Sequence, residues 1–136
     1  MCGINGFNFE DKNLIKKMNQ LLKHRGPDSN GQYVDSKVSL GQTRLSIIDL
    51  STAGNQPMPN ENGDIWIVYN GEVYNFKELK ESLNNHKFKS ETDTEVLIHL
   101  YEEHGKEMLS KLTACLPFVS MIPIKNSFSL QEIELV

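Results

Sequence analysis

The sequence is poor in cysteine, with only Cys2 and Cys115 among 136 residues. Two cysteines so far apart do not form the dense disulfide framework that stabilises small secreted domains. The N-terminus also lacks the order of charged, apolar and small residues that makes a signal peptide. We therefore expect a reduced, cytoplasmic protein.

The sequence also lacks an excess of positive charge and any long apolar run. Its 14 Lys and Arg residues are outnumbered by 18 Asp and Glu residues, so it offers no basic face for nucleic acid. No apolar run approaches the roughly 20 residues of a membrane-spanning helix. Nucleic acid and membrane are therefore not expected as partners. No metal is expected either, because His99 and His104 lie five residues apart, off the spacing for a shared metal face.

The length fits a single domain with a real core. Apolar periodicity predicts a helix over residues 12–23, and further helices over 76–84 and 93–103, the last capped by Thr92 or Asp93. Branched and aromatic residues predict strands over 4–9, 32–40 and 65–69. Strands come early and helices late, without strand–helix–strand alternation, which predicts an α+β layered fold.

Cys2 stands directly behind Met1 in the opening "MCGINGF". On one interpretation it is a small apolar residue buried on the first strand. On the other, removal of Met1 leaves Cys2 with a free α-amino group, whose pKa near 7.7–8.0 lets it act as a base. A thiol activated by its own chain terminus needs no separate histidine. The residues alone leave both interpretations open.

Four further residues carry similar alternatives. Asn70-Gly71 usually marks a hairpin turn, but after an apolar strand a glycine N–H and an asparagine amide can also form an oxyanion hole. Asp93, like Glu72, would ordinarily be a solvated surface charge.

Arg44 lies within an apolar stretch, where an unpaired guanidinium is costly. We therefore expect it to have an anionic partner. That partner is either a carboxylate of the protein or the carboxylate of a bound ligand, which a guanidinium binds through two hydrogen bonds.

Six stretches together carry a family resemblance. They resemble, in order from Met1 to about Leu112, the glutaminase domain of glutamine-hydrolysing asparagine synthetases, within the class II, N-terminal-nucleophile glutamine amidotransferases. The stretches are "MCGINGF", "HRGPDSNGQY", "LGQTRLSIIDLS", "GNQPM", "YNGEVYNFKEL" and "TDTEVLIHLYEEHG". In this family the "HRGPD" segment is expected to be a structural turn near the N-terminal strand, not a catalytic element.

The resemblance implies a four-layer αββα sandwich that hydrolyses glutamine to glutamate and ammonia. Cys2 would be the nucleophile, with its own α-amino group as the base. Asn70 and the N–H of Gly71 would stabilise the oxyanion. No cofactor is expected for this half reaction, whereas ATP and Mg²⁺ would belong to a synthetase half.

The resemblance also assigns the residues that bind glutamine. Arg44 would hold the α-carboxylate, and Glu72 and Asp93 would hold the α-ammonium group. The backbone of four successive residues would line the pocket: Leu45, Ser46, Ile47 and Ile48.

The resemblance covers residues 1–112, and residues 113–136 depart from it. With suitable synonymous codons, residues 113–118 read one base out of frame give Asn-Gly-Met-Phe-Ala-Phe, the family's continuation. We therefore expect a frameshifted tail and a domain that is incomplete at its C-terminal end.

No Ser-Gly-Gly-x-Asp loop for the pyrophosphate of ATP is present, so a synthetase domain or subunit would have to be a separate partner. The alternatives are a non-catalytic interaction domain, an inactive truncated product, or an amidotransferase for a sugar or another acceptor.

Overall fold

A computed structural model describes the backbone of residues 2–123 and 131–132, and the side chains of residues 2–113. In this part of the chain the elements are, in order, β1 (Gly3–Phe7), α1 (Lys12–Leu22), β2 (Ser29–Val34), β3 (Ser39–Arg44), β4 (Met58–Pro59), β5 (Ile65–Val73), α2 (Phe76–Ser82), α3 (Asp93–His104), β6 (Ala114–Pro123) and β7 (Gln131–Glu132). Short 3₁₀ turns lie at Thr52–Gly54 and Gly105–Lys111.

The strands form two antiparallel sheets. The first has the order β1-β3-β2, and the second has the order β4-β5-β6-β7. Helix α1 packs on β1 and β3, α3 packs on β4 and β5, and β5 contacts the first sheet through β1 and β3. The layers therefore run helix, sheet, sheet, helix, and the predicted α+β sandwich is confirmed.

Strand β5 is covered on both faces, which is why its sequence IWIVY is apolar throughout. Side chains alternate across a strand, so Val68 joins the core between the sheets while Ile67 and Tyr69 join the core beneath the helices. On the inter-sheet side Trp66 stacks on Tyr33 of β2, with ring centroids 4.2 Å apart. The two sheets are thus joined through β5.

Two predicted helices begin at side-chain caps. The carboxylate of Asp11 accepts hydrogen bonds from the backbone N–H groups of Asn13 and Leu14 at the start of α1. The hydroxyl of Thr92 accepts from the N–H of Glu95 at the start of α3, which confirms the predicted cap. No helix among the described residues is long and apolar enough to cross a bilayer.

The single strand predicted over residues 32–40 is wrong. The structure has a β-hairpin there, because Asp35 turns the chain between β2 and β3. Its carboxylate accepts from the N–H groups of Lys37 and Val38, and its own N–H donates to the carbonyl of Val38. This local hydrogen bonding interrupts an otherwise alternating pattern.

The hairpin interpretation of Asn70-Gly71 is also wrong, because both residues lie inside β5. That strand continues past the predicted end at residue 69 and pairs with β6, which belongs to the off-pattern segment 113–136. Residues 124–130 and 133–136 of that segment lie outside the described residues. The predicted boundary at residue 112 stays a prediction, which sequencing of the gene would test.

A histidine–carboxylate cluster lies between α3 and the loop before it. His99 is 1% exposed, its Nδ1 lies 2.8 Å from Glu102 Oε2, and its Nε2 lies 3.8 Å from Glu95 Oε1. Its ring stacks on that of His86, which contacts Glu61 at 3.2 Å.

Donor atoms of Glu61, His86 and His99 lie within 4.8 Å of one another, so the cluster has the composition of a metal site. The two stacked rings are only 24° from parallel, however, so the lone pairs of their nitrogens do not converge on one point. Each ring also already faces a carboxylate. The geometry is that of an ion-pair network.

The network shifts the pKa of its buried histidine and the pKa of its buried glutamate in opposite directions. Burial by itself lowers the pKa of His99, but the carboxylates of Glu95 and Glu102 outweigh it and raise that pKa above the ordinary 6.5. Burial raises the pKa of Glu95, yet hydrogen bonds from His99, Ser90 and Lys89 lower it to about 2. Both shifts favour the charged forms in the folded state.

We predict that this network makes the free energy of unfolding depend on pH. The raised pKa of His99 stabilises the fold fully below pH 6.5, and this contribution is lost as the pH rises through the folded-state value. Glu95 acts at low pH. Its contribution to the free energy of unfolding is lost as the pH falls from 4.5 towards about 2.

Urea unfolding between pH 5 and 9 measures the contribution of His99. In Glu102→Gln the loss of stability above pH 6.5 should be smaller, because one carboxylate facing His99 has lost its charge. His104→Gln serves as the control and should keep the wild-type slope. Equal slopes in Glu102→Gln and wild type would contradict the prediction.

Candidate active site

A cavity of about 270 Å³ opens where the start of β1, the end of β3, the middle of β5 and the start of α3 meet. Every residue that the sequence predicted for the site lines this cavity except Ser46. The backbone N–H of Ser46 instead donates to the carboxylate of Asp28 at 2.8 Å. The lining residues from the prediction are Cys2, Arg44, Leu45, Ile47, Ile48, Asn70, Gly71, Glu72 and Asp93.

Cys2 lies just before β1 and is only partly buried, so the interpretation as a core residue of the first strand is wrong. Its sulfur lies at the peptide of Leu45, 3.4 Å from the nitrogen and 3.7 Å from the carbonyl oxygen. Arg25 Nε donates to the carbonyl of Cys2 at 3.3 Å. The "HRGPD" turn therefore packs beside the N-terminal strand, as predicted, and it also binds the backbone of Cys2.

Gly3, which follows Cys2, allows this close packing. A Cβ at Gly3 would meet the hydroxyl of Thr43 at 2.6 Å and the Cβ of Leu22 at 2.9 Å. A larger residue would push β1 away from β3 and α1, and would carry Cys2 with it.

Asn70 and Gly71 lie at an irregularity in the pairing of β5 with β6. Asn70 pairs with Phe118 and Glu72 pairs with Cys115, so two residues of β6 lie opposite the single residue Gly71 and the bulge is in β6. Such a bulge disrupts the ladder locally and increases the twist of the strand pair. Gly71 and the partly buried Asn70 both line the cavity at this point.

Arg44 is a buried cation without a carboxylate partner. It is 5% exposed, its Nη1 donates to Ser51 O at 2.8 Å and Asn55 Oδ1 at 3.0 Å, and its Nη2 donates to Ile48 O and Asp49 O. Within residues 2–113 no carboxylate oxygen comes within 4.0 Å of it, so the structure does not support the interpretation as a close internal salt bridge. Neutral dipoles hold the guanidinium, and the carboxylate of Asp49 acts on its charge from beyond that distance.

Two local features hold the Arg44 guanidinium in place. A Cβ at Gly54 would collide with it, so a larger residue at this position would displace the guanidinium. Asp49, at φ +53°, uses its carboxylate to accept from the N–H groups of Ser51 and Glu91, each at 2.9 Å. These hydrogen bonds lower the pKa of Asp49 to about 2 and tie the loop beside Arg44 to the segment before α3.

Asp93 is a buried carboxylate, not the solvated charge that its loop position alone suggested. It is 6% exposed at the first turn of α3, and its Oδ2 accepts from the N–H of Val73 at 3.0 Å. Burial raises its pKa above the ordinary 3.8, against the hydrogen bond from Val73, and the nearby charge of Glu72 raises it further. Glu72 itself is exposed.

The cavity also has lining residues that the sequence analysis did not select. They are Gly54, Gln56, Tyr69, Tyr74, Thr92 and Thr94. All six lie inside stretches that carried the resemblance: Gly54 and Gln56 in "GNQPM", Tyr69 and Tyr74 in "YNGEVYNFKEL", and Thr92 and Thr94 in "TDTEVLIHLYEEHG". These stretches indicated the family, but no property of the individual residues marked them as part of the site.

The arrangement suits a zwitterionic ligand with a reactive carbonyl. A buried cation at Arg44 complements a carboxylate, and the carboxylates of Asp93 and Glu72 complement an ammonium group. Amide and N–H donors at Asn70 and Gly71 share the cavity with the thiol of Cys2. A thiol and hydrogen-bond donors around one carbonyl are the components of acyl transfer through a thioester.

Comparison with known families agrees with this geometry. A family model described as "Glutamine amidotransferase domain" matches residues 1–121. "Asparagine synthetase [glutamine-hydrolyzing] 1" of Bacillus subtilis (strain 168) is 43% identical over 129 residues, covering 88% of this chain and 20% of that protein. "Asparagine synthetase [glutamine-hydrolyzing] 3" of Arabidopsis thaliana is 40% identical over 117 residues, covering 86% of this chain and 20% of that protein. The chain thus spans about a fifth of these relatives.

A solved structure supports the fold independently. Glutamine phosphoribosylpyrophosphate amidotransferase from B. subtilis, complexed with ADP and GMP, superimposes with a TM-score of 0.71. The sequences are 20% identical, and the match covers 90% of this chain and 35% of that one.

We predict that Asp93→Asn raises the free energy of unfolding at pH 7. A folded-state pKa above 3.8 means that the charged form of Asp93 destabilises the fold at neutral pH. Asparagine keeps an oxygen to accept from the N–H of Val73. The gain should shrink as the pH falls through the raised pKa, because wild type is then also neutral.

Urea unfolding at pH 7 and pH 4 tests this, with the exposed Glu81→Gln as a control expected to stay close to wild type. A loss of stability in Asp93→Asn at pH 7 would contradict the prediction.

Proposed function

The chain belongs to the glutamine amidotransferase domain family, and from this membership we propose that it hydrolyses the side-chain amide of glutamine to glutamate and ammonia. The observation that supports the proposal most directly is the cavity. It combines a half-buried thiol at Cys2, donors at Asn70 and Gly71, and opposite charges at Arg44 and Asp93.

The proposed reaction starts with the transfer of the Cys2 thiol proton to the α-amino group that removal of Met1 exposes. The sulfur then adds to the amide carbonyl of glutamine. The resulting oxyanion accepts hydrogen bonds from the Asn70 amide and the Gly71 N–H, which lie on the same cavity. A donor of this kind contributes about 2.7–4 kcal/mol to the transition state in comparable acyl transfers.

The tetrahedral intermediate then collapses. Its carbon–nitrogen bond breaks, the α-ammonium group of Cys2 gives its proton to the leaving nitrogen, and ammonia departs. The remaining thioester is attacked by water, which releases glutamate and restores the thiol. Protons balance over the two steps and no atom changes its oxidation state. The proposed hydrolysis therefore includes no redox partner and no cofactor.

Substrate recognition follows from the charges. Arg44 would bind the α-carboxylate, and Asp93 with Glu72 would bind the α-ammonium group. The burial of Arg44 with no carboxylate in direct contact supports the first assignment, and the burial of Asp93 supports the second. Leu45, Ile47 and Ile48 would line the path of the side chain.

We propose further that the ammonia serves asparagine synthesis, since the relatives named above are glutamine-hydrolysing asparagine synthetases. A synthetase domain or subunit would then be the partner, and ATP and Mg²⁺ would act there. A reducing, cytoplasmic location is part of the proposal because the mechanism needs a free thiol at Cys2.

Intact-mass analysis with 6-diazo-5-oxo-L-norleucine, a diazoketone analogue of glutamine, tests the nucleophile. We expect a protein without Met1 that gains one adduct, because the thiol displaces N₂ to form a thioether. Cys2→Ala should gain none, and Cys115→Ala should react like wild type. A retained Met1, an adduct on Cys115 or no adduct on folded protein would each refute the proposal.

Arg44→Lys tests the carboxylate clamp. Lysine keeps the positive charge, but its single ammonium group cannot make the four contacts that hold the two Nη atoms of Arg44, so the charge would no longer be fixed at the cavity. We expect the inhibition constant KI of the diazoketone to rise about tenfold, which corresponds to roughly 1.4 kcal/mol. The inactivation rate constant kinact should change little. An unchanged KI with a lowered kinact would contradict the assignment.

A further inference from the structure

Two buried glutamines bind the peptide units that flank Tyr69, the residue directly before Asn70. Gln56 Oε1 accepts from the N–H of Tyr69 at 2.6 Å, and Gln42 Nε2 donates to its carbonyl at 3.4 Å. Gln56 is 8% exposed and Gln42 is 1% exposed. Both backbone polar groups of Tyr69 are therefore held by side chains, close to the register shift between β5 and β6.

The other end of the Gln56 amide reaches α3. Its Nε2 donates to Thr94 Oγ1 at 3.1 Å, and Thr94 directly follows Asp93. Asp93 in turn accepts from the N–H of Val73. The segment Asn70-Gly71-Glu72 is thus bounded on each side by a link to the first turn of α3, one through Gln56 at Tyr69 and one through Asp93 at Val73.

Gln42 extends the same connection to the first sheet. It lies in β3, two residues before Arg44, and its amide crosses to β5 in the second sheet. The strand that carries Arg44, the strand that carries Asn70 and Gly71, and the helix that carries Asp93 are therefore connected through the backbone of Tyr69.

We propose that Gln56 is a positioning residue for amide hydrolysis, which fixes the oxyanion donors at Asn70 and Gly71 relative to the ammonium-binding carboxylate at Asp93. The inference rests on the proposed function and extends it to a residue that lines the same cavity but has no role in the proposed reaction. The register shift opposite Gly71 disrupts the ladder with β6 there, so an anchor from outside that ladder helps to set its place. Gln56 supplies that anchor.

The expected effect falls on the chemical step. Loss of the Gln56–Thr94 link leaves Arg44 and Asp93 in place, so binding of the zwitterion should be preserved. A displacement of the donors by about 1 Å costs up to 100-fold in rate. Since the link is one of two that bound the segment, we expect a reduction of kinact of about tenfold.

The test uses the full chain and the diazoketone, whose ketone oxygen takes the position of the amide oxygen. Gln56→Leu removes both ends of the link, and Thr94→Val removes only its acceptor at nearly constant volume. Both should lower kinact about tenfold with KI within about threefold of wild type. Thr94→Ser, which restores the hydroxyl, should recover most of the rate lost in Thr94→Val.

Two controls separate positioning from a loss of stability. Ser39→Ala removes a buried hydroxyl that bonds Phe9 O and Asp11 N, far from the cavity lining, so it should lower the melting temperature without changing kinact. Iodoacetamide alkylates Cys2 without binding as a zwitterion. If a variant affects only the positioning of the donors, its alkylation rate should therefore stay within about twofold of the wild-type rate.

Three outcomes would overturn the inference. The first is an unchanged kinact in Thr94→Val or in folded Gln56→Leu. The second is a parallel change in KI, kinact and the iodoacetamide rate that follows the melting temperature, because this would mean a general structural role. The third is a wild-type protein whose Cys2 reacts with iodoacetamide but not with the diazoketone, which would refute the proposed function and this inference together.

Discussion

The burial of β5 on both faces is the constraint on which the rest of the structure depends. A sheet covers one face and helices cover the other, so its backbone groups must find partners within the protein. On its other side β5 pairs with β4 only at Trp66 and Ile67, and beyond them three side chains bind the backbone of Tyr69 and Val73: Gln42, Gln56 and Asp93. Two of these side chains, Gln56 and Asp93, also line the cavity.

The charges in the cavity work against the stability of the empty fold. Arg44 is buried among neutral oxygens, and Asp93 is buried beside another carboxylate. Desolvation makes both costly, and neither is paired with the other. A ligand with the complementary charges would remove both penalties at once. Such a cost to stability is typical of a site whose residues are selected for binding a ligand.

Local signals in the sequence predicted α1, the cap of α3 and the buried strand β5, because caps and apolar periodicity depend on neighbours in the chain. The resemblance supplied the sandwich and nearly all of the cavity lining. The turn at Asp35 was missed since its hydrogen bonds interrupt an alternating pattern without a glycine or proline. The bulge opposite Gly71 depends on pairing with β6, and the link through Gln56 depends on partners 13 and 38 residues away, which no local pattern encodes.

The cavity draws its groups from four distant segments, represented by Cys2, Arg44, Asn70 and Asp93. Contacts between such segments have a high contact order, and each requires a long loop of chain to close. No hairpin or helix pair can form the cavity by itself, so it appears only when both sheets and α3 have assembled. The intact cavity is consequently present only in completely folded molecules. Covalent labelling of Cys2 by a ligand of this cavity would therefore measure the fraction of molecules that have folded completely.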